Sequence, residues 1–204
     1  MTPKIAIITG GSGYLGRAVT AQLRERAWVV ISLARSEISG EFQCDVSDAD
    51  SVRTAISHIM AKYGHIHAVI HAASPKLERV PTEKASAKSA GEHMQVALDG
   101  ARNLLDIAGA HIANGGVFIG VTTSAVRAAK PPAMGGYVAA KQAMEEFLKE
   151  RAEIEKRFRI LTFEVGFLPG GLNGDLPKLA LEMFSKKSES VESVAKRIAD
   201  ICES

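Results

Sequence analysis

Along this chain, short apolar runs rich in β-branched residues alternate with longer stretches in which apolar positions recur every three or four residues. The runs are Ile5 to Thr9, Trp28 to Leu33, Phe42 to Asp45, Ala68 to His71, Val117 to Thr122 and Ile160 to Val165. Their brevity and composition predict buried strands. Between them, Leu15 to Arg26, Ser47 to Tyr63, Gly91 to Ala113 and Tyr137 to Phe158 are amphipathic and long enough for crossover helices. Such alternation predicts a doubly wound parallel sheet of about six strands with helices on both faces, a three-layer α/β/α domain. One domain is expected over residues 1–204. Pro75 to Gly91, rich in Lys, Ser and Ala, reads as a loop leading into a long helix, and Gly170 to Lys187 as a loop and helix covering the functional site.

The first strand runs directly into Thr9-Gly10-Gly11-Ser12-Gly13-Tyr14-Leu15-Gly16 and then a helical stretch. Glycine permits the positive φ of a tight strand-to-helix turn and lets backbone approach a pyrophosphate, whose charge is stabilised by free N–H groups at the helix N-terminus. A glycine-rich turn alone can be only a turn, but here the second run leads into Ala34-Arg35-Ser36. That is where a Rossmann-type domain meets the adenosine ribose of its dinucleotide. An acid there would suit the ribose hydroxyls of NAD, whereas Ala34 followed by a cation suits the 2′-phosphate of NADP. NADP(H) is therefore the expected cofactor, with Gly10, Tyr14, Leu15 and Gly16 around its pyrophosphate. Ser12 offers a second phosphate contact, and Arg35 faces the 2′-phosphate.

Composition narrows the partners. The 204 residues carry a net charge of only +2, and the cations are scattered among nearly as many acids. Nucleic acid is not an expected partner in so weak a field. The apolar start, Lys4 to Thr9, is too short for a signal-peptide core, and no later segment reaches the length of a membrane span. A cytoplasmic protein with no membrane partner is expected. Cys44 and Cys202 have no metal-ligand spacing and lie near opposite ends of the chain, which reads as two reduced structural thiols and no metal site.

Gly116 to Ser124 reads as a buried strand ending in hydroxyls, and thirteen residues after Ser124 comes Tyr137-Val-Ala-Ala-Lys141 at the start of a helix. Tyr137 and Lys141 share one helical face. A phenol with an ordinary pKa of about 10 is a poor acid–base group at neutral pH unless a nearby cation stabilises its phenolate, and Lys141 is one turn away. His71, at a strand end, and His65 and His67, at a strand entrance, read as structural hydrogen-bonding residues.

Thr9 to Gly16, Asp45-Val46, Ser124, Tyr137 and Lys141, in this order and spacing, resemble the short-chain dehydrogenases/reductases over almost the whole chain. The resemblance implies an NADPH-dependent reductase of ketones or aldehydes. Tyr137 would protonate the carbonyl oxygen as hydride arrives from NADPH, and Ser124 would orient that oxygen. Lys141 would lower the tyrosine pKa and bind the nicotinamide ribose. The resemblance also implies that Asp45 and Val46 contact the adenine, and that Ala72, Ala73 and Ser74 line the adenosine ribose. There the family's small branch has Asn-Asn-Ala-Gly, with His71 now at the first asparagine. Gly166 and Leu168 would meet the nicotinamide end. The substrate would be a small or carrier-bound carbonyl compound. Family members commonly dimerise through the helix before Ser124 and the helix starting at Tyr137, so a homodimer is expected.

The chain departs from the family pattern in several places. Tyr14 stands at the penultimate glycine of the usual TGxxxGxG, giving the TGxxGxxG of the extended, epimerase-like branch. Ala97 stands where an asparagine supports a water-mediated proton relay to the lysine. The relay water is held largely by a main-chain carbonyl, which Ala97 still offers if the helix kinks there. In the segment resembling PGxxxT, Val165 replaces the proline and Gly170 the threonine, and the glycines that follow imply that this side orders only on binding. The strand usual after the Ser190 to Cys202 helix is absent, which makes Ile160 to Val165 a sheet edge, expected to be shielded by the C-terminal segment or an oligomer contact. Arg127, Lys130, Lys76 and Arg79 are placed near the mouth of a short pocket, where they either dock an anionic group or merely solvate the surface. Two rival readings stand: a nucleotide-sugar epimerase or dehydratase, disfavoured by the short tail, and a non-catalytic NADP-sensing or scaffold protein, disfavoured by the joint retention of Ser124, Tyr137 and Lys141.

Overall fold

The computed structural model describes residues 3–35, 41–128, 133–185 and 188–204. Strands β1 (Ile5–Thr9), β2 (Val29–Ala34), β3 (Glu41–Gln43), β4 (Ile66–His71), β5 (Ile112–Thr123) and β6 (Arg159–Val165) form one parallel sheet in the order β3-β2-β1-β4-β5-β6. The chain leaves β1 in both directions, to β2 on one side and β4 on the other, so a crevice opens at the carboxyl ends of these central strands. Successive side chains face opposite layers. Ile5 and Ile7 pack with α2 (Ala49–Tyr63), α4 (Gly100–Ala108) and α5 (Tyr137–Ile154), whereas Ala6 and Ile8 pack with α1 (Tyr14–Glu25) and α7 (Val191–Glu203). Each fully buried Ile or Val in these layers contributes about 2 kcal/mol.

Local chemistry moves several predicted boundaries. β3 ends at Gln43 rather than Asp45. Asp45 turns out of the ladder because its carboxylate accepts from the Ser47 N–H at 2.9 Å and the Ser47 hydroxyl at 2.6 Å, while its own N–H donates to Ser51 Oγ. The stretch Gly91 to Ala113 is not one helix. It comprises α3 (Ala87–Met94), capped by the Ser86 hydroxyl on Ser89 N–H, then a π turn over Gln95–Asp99, then α4, and Ile112 already belongs to β5. α5 stops at Ile154 because Glu155 turns extended and Phe158 is drawn into the core. β5 starts early through an irregularity: Ile66 pairs with Ile112 but Ala68 with Val117, with Gly115 at φ +79° in the extra loop of chain.

β6 is the last strand of the order, paired among the described residues with β5. The C-terminal helix covers its face rather than its edge: Val194, Ile198 and Ala199 of α7 join Phe163 and Val165 in one core, and Arg159 binds the Ile201 carbonyl at 2.8 Å. Cys44 and Cys202 are buried free thiols in opposite layers, the latter pushed up to about 12 by burial. Among the described residues no helix is long and apolar enough to cross a membrane.

Candidate active site

The turn after β1 is built by close approach. Gly10 has φ +71°, and a Cβ there would lie 2.9 Å from the backbone of Ala73, just beyond β4. A Cβ on Gly16 would lie 2.1 Å from the Gly10 carbonyl oxygen, so the first turn of α1 rests on the loop only because that position is glycine. The helix starts at Gly13 with no side-chain cap, which leaves its first N–H groups available to an anion.

A cavity of about 920 Å³ lies above these elements. Every expected cofactor-binding and catalytic residue lines it: Gly10, Ser12, Tyr14, Leu15 and Gly16 from the turn, Arg35 after β2, Asp45 and Val46 after β3, Ala72, Ala73 and Ser74 after β4, and Ser124, Tyr137, Lys141, Gly166 and Leu168 at the other end. Asp45 accepts from Ser47 through Oδ1. Among the described members of the proposed mouth cluster, only Arg79 lines the cavity, and its charge is matched by Asp175 at 3.0 Å. Arg127 is instead paired with Glu145 and Glu164, Lys76 is exposed away from the lining, and Lys130 lies outside the described residues. The rest of that end is mostly apolar, with Leu77, Ala128, Met134, Phe167 and Leu176 beside Asn173.

Tyr137 and Lys141 are buried on α5, one turn apart. Lys141 Nζ donates to the Val121 carbonyl at 2.8 Å and sits 5.9 Å from the centre of the Tyr137 ring. Burial pulls the ammonium down to about 8. Tyr137 does not show the lowering expected from its lysine: burial pushes it up to about 12, and the nearby Thr123 hydroxyl draws it back. Thr123 is a second hydroxyl of the cavity lining, beside Ser124. β5 ends at Thr123, whose Oγ1 accepts from the Ala125 N–H at 3.3 Å, and Ser124 begins the following 3-10 turn with its side chain exposed. The run Thr122-Thr123-Ser124 places three successive hydroxyl residues in the cavity lining.

The sequence profile of the family described as enoyl-(acyl carrier protein) reductase matches residues 17–160. The chain belongs to the short-chain dehydrogenase/reductase family. Its members are oxidoreductases that use a nicotinamide dinucleotide on carbonyl or hydroxyl groups of small molecules. Among solved structures, a gluconate 5-dehydrogenase from Burkholderia cenocepacia in complex with NADP and tartrate superposes with a TM-score of 0.87 at 19% identity, covering 99% of this chain and 89% of that one. A ligand-free aldohexose dehydrogenase from Thermoplasma acidophilum gives 0.85 at 18%, over 98% and 87% of the chains. Levodione reductase gives 0.86 at 20%, over 100% and 92%. At these identities the likeness is one of fold. Comparison with curated protein sequences gives no match.

The departures from the short-chain reductase pattern have local partners. A Cβ on Gly170 would lie 2.8 Å from Cζ of the Tyr14 ring, and one on Gly171 would lie 2.7 Å from Tyr14 Cβ. The aromatic ring in place of a glycine and the glycine in place of a threonine thus fit each other across the cavity. The covering segment, a 3-10 turn at Gly171–Asn173 and α6 (Lys178–Ser185), is held by Arg79 on the Leu172 carbonyl at 2.6 Å. His71 is fully buried and structural, as read: Nδ1 takes the Thr9 hydroxyl proton at 2.8 Å and Nε2–H donates to the Val96 carbonyl at 3.0 Å. It ties β1 and β4 to the π turn, which carries Ala97.

Proposed function

We propose that this chain is an NADPH-dependent reductase of ketones or aldehydes, with Tyr137 as the proton donor. The observation that carries the reading is that one cavity holds both the dinucleotide determinants, from the glycine turn to Arg35, and the buried Tyr137–Lys141 pair. The bound cofactor would supply hydride to the carbonyl carbon. Tyr137, pushed up to about 12 by burial, is a neutral phenol at physiological pH and holds its proton for the oxygen that becomes an alkoxide. Lys141, still charged below about 8, stabilises the phenolate left behind and has donors for the nicotinamide ribose. We assign orientation of the substrate oxygen to Thr123 in place of the expected Ser124, because the Thr123 hydroxyl reaches Tyr137. Arg35 is the cation for a 2′-phosphate. The apolar far end, with Arg79 already matched by Asp175, favours a substrate with an uncharged apolar body.

The test is binding of NADPH and NADH by fluorescence, then NADPH oxidation with a panel of ketones and aldehydes, for wild type and Tyr137→Phe. Turnover that prefers NADPH and collapses in the variant upholds the reading. Tight NADPH binding without turnover across the panel moves the assignment to a cofactor-sensing protein. A homodimer through α4 and α5 belongs to the same reading. Ile154, at the end of α5, is 75% exposed, and a monomeric mass in sedimentation would reject the dimer.

A further inference from the structure

His93 lies near the end of α3, one turn beyond Ala90. The backbone of Gly136 rests on that alanine, where a Cβ would come within 2.6 Å of Ala90 Cα. This contact seats the start of α5 on α3 and sets the His93 ring edge-on to Tyr137, with centroids 5.6 Å apart and planes at 70°. His93 is 1% exposed. One of its nitrogens is hydrogen-bonded to the backbone at Lys76, but Nε2 is buried with no partner among the described residues. An unmatched buried polar atom loses the hydrogen bonds that water would have given it. Lys141, 3% exposed, presents the complementary deficit: one N–H goes to the Val121 carbonyl, and an ammonium has more donors than that.

Charges around the ring agree with an acceptor role. Burial first and the Lys141 charge second hold His93 below the usual histidine range, against weaker opposite pulls from Glu92, the backbone at Lys76, and Glu78. The imidazole therefore stays neutral, with a lone pair to offer. Around Lys141 itself stand Tyr137 on α5, Thr123 at the end of β5 and His71 on β4, which the same ammonium holds neutral.

We propose that His93 is a positioning residue of the Tyr137–Lys141 pair: its Nε2 accepts, through one water, from the Lys141 ammonium and fixes that charge beside the phenol. The inference rests on the reading of Tyr137 as proton donor. In each reduction hydride adds to the carbonyl carbon and the Tyr137 proton to its oxygen. The phenolate that remains is stabilised by the fixed ammonium until a solvent proton restores the phenol, and His93 keeps its own proton throughout. Ala97, one turn further along the chain, carries no polar side chain for this task.

The decisive experiment compares His93→Leu, which removes the acceptor, with His93→Gln, which keeps one. The Lys141 ammonium is titrated in each through the 13Cε resonance of labelled lysine, assigned by its loss in Lys141→Met. Because an acceptor favours the charged form, His93→Leu should lower the Lys141 midpoint by about one unit, and His93→Gln should restore most of it. In turnover, His93→Leu should lower kcat about tenfold and move the alkaline limb of its pH profile down by the same unit, with KM unchanged. An unmoved Lys141 midpoint in His93→Leu overturns the proposal, and so does His93→Gln matching His93→Leu in both readouts. Should His93→Leu not fold, His93→Met serves in its place. The titration needs no substrate, so it judges His93 even if no carbonyl is turned over, whereas failure of Tyr137→Phe to abolish activity strikes the catalytic reading alone.

Discussion

His71 should make this domain acid-labile in a way that His71→Asn, the residue of the family's small branch, removes. The imidazole is fully buried between Thr9 and Val96, and burial first, with the Lys141 charge second, drives its pKa down to about 3 against acceptors at Val96 and Ala97 that pull upward. In the unfolded chain it returns to about 6.5. Between those values the unfolded state binds a proton that the folded state refuses, so stability is complete above about pH 6.5 and falls as pH drops toward 3. The full loss is roughly 5 kcal/mol, of which about 2–3 kcal/mol is gone by about pH 4.5. Against a typical domain stability of about 5–15 kcal/mol this is large. Urea unfolding followed by circular dichroism, at steps from neutral to about pH 4.5, reads it directly. Carboxylates titrate in both proteins and cancel in the comparison. His71→Asn should begin about 1 kcal/mol less stable at neutral pH, having weakened one buried hydrogen bond, and should lose less on acidification. Parallel stability curves for the two proteins would show that His71 does not resist protonation and would refute the reasoning.

Other substitutions test the site itself. Thr123→Val should lower kcat/KM about 100-fold or more, while Ser124→Ala stays within a few-fold; the reverse order would return the orienting role to Ser124. Gly170→Thr should weaken NADPH binding about tenfold, because its backbone is extended and acceptable to threonine but its Cβ would overlap the Tyr14 ring. Adding Tyr14→Gly should restore the affinity, and simple additivity in the fluorescence titrations would rule the contact out. Arg35→Ala should weaken NADPH about tenfold to 100-fold and leave NADH untouched, so equal losses for both cofactors would place the 2′-phosphate elsewhere.

The layers and the places of the strands were legible because a doubly wound sheet writes its burial directly into the chain, as in the buried run Ile5, Ile7 and Ile8 beside a glycine turn. Boundaries set by side-chain hydrogen bonds were not. Asp45 looks like a strand residue until Ser47 and Ser51 are seen to hold it, and the apolar period from Gly91 onward runs through a π turn that keeps the same face buried while changing the pitch. The positions expected to hold cofactor and catalyse all line one cavity. Sequence spacing singled out Ser124, and the neighbouring Thr123 lines the same cavity. The pKa order was also hidden: spacing placed a cation near Tyr137, but only burial determines that the lysine falls and the tyrosine rises.

The departures from the family pattern are better understood in space than one at a time. Tyr14 and Gly170 are far apart in sequence, yet the ring of one occupies the volume that the Cβ of the other would need. His71 replaces an asparagine and gains a second buried hydrogen bond, to the π turn, so the strand end and the helix kink become one unit. Gly100, where that turn passes into α4, must then be glycine, since its Cβ would lie 2.9 Å from Val46 and 3.2 Å from the His71 ring. Ala97 falls within the same unit, with an unpartnered histidine nitrogen one turn earlier in the chain. A site losing its function by drift would accumulate unmatched changes: rings over voids, glycines where nothing crowds them, a buried lysine without its acceptor. Here Tyr14, Gly170 and His71 are matched by their neighbours, and the His93 experiment asks whether Ala97 is matched as well. If it is, selection has kept the cavity working, and the cofactor-sensing reading loses its strongest support, which was the departures themselves.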